Sequence, residues 1–134
     1  MEKIYSKIKK KKLLHIVSKK YLKEKKRIDL IDAKFPLQVA RVNLKKNTIR
    51  PHSNKFKINK KKKVAQNECW IVLKGVLCVS LFDIDKSKIK NLILKKGSIL
   101  ITVGGGHSIN KSSKNTEIVE IKLGPYNGKD TIYY

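Results

Sequence analysis

Cysteine is scarce in this chain of 134 residues: only Cys69 and Cys78 occur, too few for a disulfide framework. Long hydrophobic runs are missing as well, since no stretch approaches the roughly 18 apolar residues that a membrane-spanning helix needs. The apolar segment that follows the basic start is too short for a secretory signal and lacks a small-residue cleavage site. These absences predict a cytoplasmic protein with reduced thiols and no transmembrane segment.

Acidic residues are also few, with 10 Asp and Glu against 33 Lys and Arg, which gives a formal net charge of +23. Such an excess suggests a nucleic-acid or anionic-membrane partner, although basic residues scattered over a surface do not make a site. The length and the hydrophobic fraction of 40% predict one domain with a compact core. The net charge is therefore compatible with any fold class, and the function has to be inferred from the sequence motifs.

The first 26 residues differ from the rest, because they hold eleven lysines, two glutamates and neither glycine nor proline. Their apolar residues recur at roughly helical intervals, which fits either a basic amphipathic helix or a solvated arm. We therefore expect a short basic N-terminal arm over residues 1–26, with a helix as one alternative, and a barrel domain over residues 27–134.

From Arg27 onward, short β-rich runs alternate with turn residues. The runs cover residues 37–44, 68–73, 76–82, 89–94, 98–103 and 116–122. Strands at this spacing, with no helical run between them, predict an all-β sandwich or barrel. Lys74-Gly75 separates two of the runs and predicts a β-hairpin, in which Cys69 and Cys78 lie on the sheet without facing each other.

Three histidines and one glutamate are the candidates for chemistry. His15 lies in the arm without an acidic or sulfur companion, and we treat it as incidental. His52 follows the first clear strand, and His107 closes the run Gly104-Gly105-Gly106. Between them Glu68 opens the predicted hairpin.

From about Ile28 the chain resembles a small single-domain cupin, whose fold is a double-stranded β-helix, or jelly roll. The segment Glu68-Cys-Trp-Ile-Val-Leu-Lys-Gly75 matches the second half of the first cupin motif. The segment from Gly97 to His107 matches the second motif, although it lacks the proline and is one residue shorter. The end of the chain is similar to small cupins of the polysaccharide-biosynthesis type.

The resemblance implies a site inside the barrel. His52, Glu68 and His107 match three of the family's metal ligands, and such ligands suit Fe, Mn, Ni or Zn. Asn54 stands where the family has a second histidine, and an unusually long, lysine-rich interval separates it from Glu68. If the pocket holds no metal, the resemblance implies acid–base chemistry by His52 or His107 on a sugar or nucleotide-sugar. Asn54 and Trp70 would then line the substrate pocket.

Other interpretations stay open at this stage. Glu68 could pair with a cation at the barrel rim while His107 only packs in a turn. The chain could be a non-catalytic module that binds a ligand or supports a complex. It could also bind nucleic acid or an anionic membrane through the arm and the lysines of residues 55–63, although the strands lack an aromatic platform for bases. The resemblance further implies a homodimer.

Overall fold

The computed structural model describes residues 2–9, 11–18, 27–45, 48–57, 63–65, 67–125 and 131–134. Over these ranges the chain forms thirteen β-strands and no helix, which confirms the all-β prediction. It follows that no helix in these ranges could cross a membrane. The strands are β1 (Glu2–Tyr5), β2 (Leu13–Val17), β3 (Arg27–Asp29), β4 (Leu37–Asn43), β5 (Ile49–Lys57), β6 (Lys63–Ala65), β7 (Glu68–Lys74), β8 (Val76–Phe82), β9 (Lys88–Lys95), β10 (Ile99–Thr102), β11 (Gly106–Ser112), β12 (Glu117–Leu123) and β13 (Thr131–Tyr133).

Two antiparallel sheets form the body of the fold. One has the order β10-β7-β12-β4-β3, and the other has the order β13-β5-β11-β8-β9, with β6 paired to β5. Successive side chains of a strand point to opposite faces of its sheet, so every second side chain points into the space between the two sheets. The core that results is buried and mainly aliphatic. It consists of Leu44, Trp70, Val72, Leu77, Val79, Leu94, Ile109 and Ile118.

The hairpin predicted around Gly75 is wrong. β7 pairs with β10 and β12, whereas β8 pairs with β9 and β11, so the chain passes from one sheet to the other between them. Both strands have a buried inner face, and these faces cover each other across the core instead of lying side by side. Gly75 makes the crossing at a φ of 82°, a conformation that favours glycine. A two-residue connection between two strands with alternating apolar residues is therefore compatible with a crossing between two sheets as well as with a β-hairpin.

The same correction applies to the thiols. Cys69 and Cys78 lie in different sheets, and both are free. Each occupies an intermediate position between buried neighbours of its strand, and so faces away from the core. They are thus half-buried on the outer faces of the two sheets, and they do not face each other.

The helix considered for the N-terminal arm is also wrong where the structure describes it. β1 pairs with β2 in an antiparallel two-stranded sheet that is mostly exposed. Residues 19–26 lie outside the described residues. The boundary between an arm at 1–26 and a domain at 27–134 stays a prediction.

Two strands that the sequence did not reveal carry the histidines. His52 follows β4, as expected, but lies inside a further strand, β5, and His107 lies inside β11 and not in a turn. Both strands are rich in polar residues, which hides their strand character from a hydrophobic pattern. Of the lysine-rich interval, residues 58–62 lie outside the described residues.

Candidate metal and ligand site

One row of polar side chains crosses the inner face of the first sheet. Glu68 is the cross-strand partner of Thr102 on β10 and of Lys122 on β12. Lys122 is in turn opposite Gln38 on β4. Because directly opposed residues point to the same side of a sheet, these four side chains share one face with Trp70, two residues along β7. The register thus places one carboxylate, one ammonium group, one amide and one hydroxyl at the same end of the barrel.

A second row lies on the inner face of the other sheet. His52 and His107 are partners across β5 and β11, and Tyr133 on β13 lies opposite His52. The two imidazole rings meet edge to face, with centroids 4.7 Å apart. The His107 ring also packs 4.4 Å from the Trp70 ring, which belongs to the opposite sheet. The two rows therefore face each other and meet at His107.

Three candidate ligand atoms converge where the rows meet. One atom from each of His52, Glu68 and His107 lies within 4.8 Å of the others, and all three residues are buried. His107 Nε2 lies 3.6 Å from Glu68 Oε2. The structure thus brings together the three residues that the sequence proposed, from two sheets and across 55 positions of sequence. Glu68 is 4% exposed, which argues against the alternative of a carboxylate at an exposed rim.

Hydrogen bonds orient the Glu68 carboxylate. Asn54 Nδ2 donates to Oε2 at 2.6 Å, and Trp70 Nε1 donates to Oε1 at 2.7 Å. Thr131 Oγ1 donates to Asn54 Oδ1 at 2.8 Å, and this bond fixes the orientation of the Asn54 amide. Asn54 is therefore not a replacement metal ligand. It positions Glu68, and Trp70 does the same besides filling the core.

Each histidine has one nitrogen engaged and the other directed to the site. His52 Nδ1 lies 2.8 Å from the Arg50 carbonyl oxygen, which can only accept, so Nδ1 carries the proton and Nε2 keeps its lone pair. His107 Nδ1 lies 3.0 Å from Thr102 Oγ1. His107 Nε2 is buried and has no hydrogen-bond partner among the residues that the structure describes.

Burial sets the ionisation of the site. It raises the pKa of Glu68 to about 7, with a further contribution from the nearby Glu120 carboxylate. It lowers the pKa of His107 to about 3, and the neighbouring His52 adds to this effect. Burial also lowers the pKa of His52, against the hydrogen bond to Arg50. Near neutral pH both imidazoles are neutral, which is the form that binds metal ions.

The donor set fits a divalent transition metal. Two neutral imidazoles and one carboxylate form the ligand set that leaves open positions on such an ion. A buried nitrogen without a partner is costly in a protein interior, and a bound ion would give His107 Nε2 its missing partner. The three candidate ligands are also held in place by hydrogen bonds. Their partners are Arg50, Thr102, Asn54 and Trp70.

Sequence reasoning missed a second charged group in the barrel. Glu120 Oε1 accepts from Arg27 Nη2 at 2.9 Å and lies 3.4 Å from Lys122 Nζ. The Glu120 and Lys122 side chains are each 11% exposed. Apolar residues occur at both odd and even positions of β12, so the pattern did not show which set faces the core. The spacing of Glu120 and Lys122, two positions apart, was the only signal, and it also fits a solvated edge.

Comparison with protein-family models and with curated proteins finds no match. Among solved structures, a mutant of the oxalate decarboxylase of Bacillus subtilis aligns with 18% identity and a TM-score of 0.56, over 73% of this chain and 24% of that chain. KdgF of Halomonas sp. aligns with 13% identity and a TM-score of 0.54, over 75% of this chain and 80% of that chain. Pumpkin seed globulin aligns with 17% identity and a TM-score of 0.55, over 73% of this chain and 23% of that chain.

These likenesses concern the fold, because all three identities are below one in five. The chain spans about a quarter of the oxalate decarboxylase and of the globulin, and four-fifths of KdgF. The two facing sheets and the similar structures confirm the jelly-roll fold that the motifs around Glu68 and His107 predicted.

Proposed function

We propose that this cupin domain binds a divalent metal ion through His52, Glu68 and His107 and uses the adjoining pocket for a small molecule of the sugar or nucleotide-sugar type. The observation that supports this most directly is the convergence of three ligand atoms within 4.8 Å, one of them the unpartnered Nε2 of His107. The ion would be Fe, Mn, Ni or Zn. It would act as a Lewis acid on a substrate oxygen.

The chain's own groups have distinct roles in this proposal. His52 donates its Nδ1 proton to the Arg50 carbonyl oxygen, so the lone pair of Nε2 is available to the pocket. If no metal is bound, His52 is a better general base than His107, because the pKa of His107 is lowered to about 3 and its basicity is correspondingly weak. The sequence prediction named both histidines as catalytic, and the strongly lowered pKa of His107 leads us to propose His52 for this role.

Metal analysis of the purified protein tests the site. We expect about one equivalent of ion per chain in the wild type and a loss in His52→Gln and in His107→Gln. His15→Gln is the matched control, because His15 is an exposed histidine on β2, away from both rows. Stoichiometric metal in both site variants would show that the ion binds elsewhere. A wild type that binds no ion would leave the acid–base alternative, which predicts turnover of a keto-sugar nucleotide.

A non-catalytic module is the second candidate, since the similar structures include a seed globulin as well as a decarboxylase. This candidate predicts that a ligand raises the melting temperature while no substrate turns over. The third, a basic surface binder, predicts affinity for nucleic acid or anionic vesicles that falls steeply with salt. A cytoplasmic location and the polysaccharide-biosynthesis subtype remain part of the proposal.

We also propose a homodimer formed through the outer face of the first sheet. That face carries exposed aliphatic side chains on three strands, at Leu37, Ile99, Ile101 and Leu123. Contiguous apolar surface of this kind usually marks an interface. Because each chain carries a net charge of +23, we expect association to strengthen as added salt screens the repulsion.

A further inference from the structure

We propose that the β1–β2 hairpin docks this protein onto an anionic lipid bilayer, with the Ile8 side chain entering the headgroup layer among lysines that contact the lipid phosphates and carboxylates. The hairpin tip, residues 6–12, connects the two strands and carries five lysines and one isoleucine after Ser6. This inference goes beyond the proposed metal site and uses none of its residues.

The described part of the tip has a defined conformation. The Ser6 hydroxyl accepts hydrogen bonds from the backbone N–H groups of Ile8 and Lys9, at 3.1 and 2.9 Å. The Ser6 N–H donates to the Lys12 carbonyl oxygen at 2.8 Å, and the Lys12 N–H donates to the Lys9 carbonyl oxygen at 3.0 Å. Lys11 adopts a left-handed φ of 69° within the turn. The tip is thus held by backbone groups and one hydroxyl, and the isoleucine and lysine side chains take no part in holding it.

Ile8 is the apolar side chain at this tip. Its exposed fraction of 93% is the highest of any large hydrophobic residue that the structure describes. A single exposed aliphatic side chain is ordinary on a protein surface, but this small hairpin also exposes Ile4, Tyr5 and Leu14. Exposed apolar groups that are rimmed by polar ones mark protein or membrane interaction sites. At the end of a hairpin, Ile8 can be buried only by a second molecule.

The hairpin lysines have no acidic counterpart among the described residues. They are all exposed, and none forms an ion pair with another residue that the structure describes; they are Lys3, Lys7, Lys9, Lys11 and Lys12. Asp29 and Asp32 line the cavity beside the hairpin, but Asp29 is paired with Arg27 at 2.8 Å. Asp32 is paired with Lys34 at 3.8 Å. Glu2 lies at the end of β1 that is farthest from the tip. The tip therefore presents uncompensated positive charge around Ile8.

This combination favours an anionic bilayer over a nucleic acid. Both partners attract lysine, and binding to both weakens with salt. An isoleucine makes no favourable contact with a phosphate backbone, whereas at a bilayer it passes from water to the boundary of the acyl chains. The first 26 residues also contain no arginine, the residue type that binds phosphate and guanine with two parallel hydrogen bonds. Lysine acts as a point charge, which suits the diffuse negative surface of a bilayer.

Co-sedimentation of the full chain with vesicles tests the proposal. One set of vesicles contains phosphatidylcholine alone, and the other contains phosphatidylcholine and phosphatidylserine in equal amounts. We expect the wild type to bind the anionic vesicles roughly tenfold or more tightly than the neutral ones, because two or more lysines approach the surface. Binding should weaken as added salt screens the charges.

Ile8→Ser tests whether the isoleucine enters the bilayer. The matched control is Ile84→Ser, because Ile84 is 86% exposed in the turn between β8 and β9 but has Asp83 and Asp85 as its neighbours. We expect Ile8→Ser to bind anionic vesicles about tenfold more weakly, and Ile84→Ser to bind like the wild type. Both side chains lie in water in the free protein, so neither variant should lower the melting temperature.

Two double variants that remove the same net charge test the lysines. Lys7→Gln with Lys9→Gln changes the tip, whereas Lys95→Gln with Lys96→Gln changes exposed lysines at the turn after β9. One lysine near an anionic bilayer contributes a factor of about five, so the tip variant should bind about 25-fold more weakly. The control variant should stay within about twofold of the wild type, because its lysines lie away from the contact and are screened.

The outcomes decide between this surface and the alternatives. Equal vesicle affinity of the wild type and Ile8→Ser would overturn the proposal, and so would equal losses in the two double variants, since net charge alone would then explain binding. A wild type that sediments with neither set of vesicles would also overturn it. If the tip lysines instead lower affinity for a DNA duplex while Ile8→Ser leaves vesicle binding unchanged, the hairpin contacts nucleic acid and the proposal is wrong. Metal stoichiometry should be the same in all four variants, so a protein without metal would count against the proposed function only.

Discussion

Replacing Glu68 by Gln should change how the stability of the metal-free protein depends on pH. The pKa of Glu68 is raised from 4.5 to about 7, and that of His107 is lowered from 6.5 to about 3. The raised pKa means that the folded protein binds more protons at Glu68 than the unfolded chain does between about pH 4.5 and 7. Glu68 therefore adds stability as the pH falls through that window.

His107 acts in the opposite direction. Its lowered pKa means that the unfolded chain binds more protons than the folded protein between pH 6.5 and about 3. Stability is therefore lost as the pH falls below 6.5, by about 1.4 kcal/mol for each pH unit. In the wild type the two effects nearly cancel between pH 4.5 and 6.5. Over that window the pair as a whole holds one proton in both states.

The Glu68→Gln variant keeps His107 and loses the compensation. Between pH 6.5 and 4.5 its free energy of unfolding should fall by about 2 kcal/mol more than that of the wild type, because the proton that Glu68 takes up on folding in this window is missing from the variant. His52, whose pKa is also lowered, contributes to both proteins and cancels in the difference.

Urea unfolding in a chelating buffer at several pH values, followed by Trp70 emission and far-UV circular dichroism, measures this difference. The readout is the slope against pH, so a constant loss of stability in the variant does not affect the result. Glu2→Gln, at an exposed carboxylate on β1, should keep the wild-type slope. Equal slopes for wild type and Glu68→Gln between pH 4.5 and 6.5 would refute the assignment of one shared proton to Glu68 and His107.

Three further predictions follow from the geometry. Thr131→Val removes the bond that fixes Asn54 and should weaken metal binding about tenfold through Glu68, while Thr48→Val, at an exposed threonine, leaves the titrated affinity unchanged. Gly75→Ala should cost more unfolding free energy than Gly97→Ala. Both glycines have a positive φ, but a Cβ at Gly75 meets the Thr116 backbone at 2.8 Å, whereas a Cβ at Gly97 meets nothing within 4 Å; equal costs would contradict this. Ile101→Lys should shift light-scattering masses from dimer to monomer, and an unchanged mass would exclude the outer face as the interface.

The sequence located the three central side chains but not the way in which they are held. His52, Glu68 and His107 were found through their similarity in order and spacing to two cupin motifs. In the same motifs, Asn54 occupies the position of a second histidine ligand, and an asparagine is a poor ligand for a transition metal. In the structure it is a donor to Glu68, because β13 supplies Thr131 to hold its other end. That relation joins residues 77 positions apart, which no local pattern contains.

The strand pattern was reliable where a run of apolar residues made it visible. β4, β7, β8, β9, β10 and β12 lie where the alternation predicts them, within a few residues at each end. β5 and β11 were missed because histidines, asparagine and serine interrupt their apolar pattern, although Ile109 of β11 is buried in the core. The residues that make the site functional are thus the same ones that conceal its strands.

By itself, the sequence determined the all-β class, the cupin motifs and three candidate ligands, because these depend on local alternation and on residue order. Only the tertiary structure decided which strands share a sheet, and with this that β7 and β8 face each other across the core. It also decided that Lys122 and Glu120 lie near the histidines, whose pKa they influence. The physical reason is that register and face are fixed by pairing between distant strands, and a charged side chain in a strand has the same local pattern whether it points to water or into the barrel.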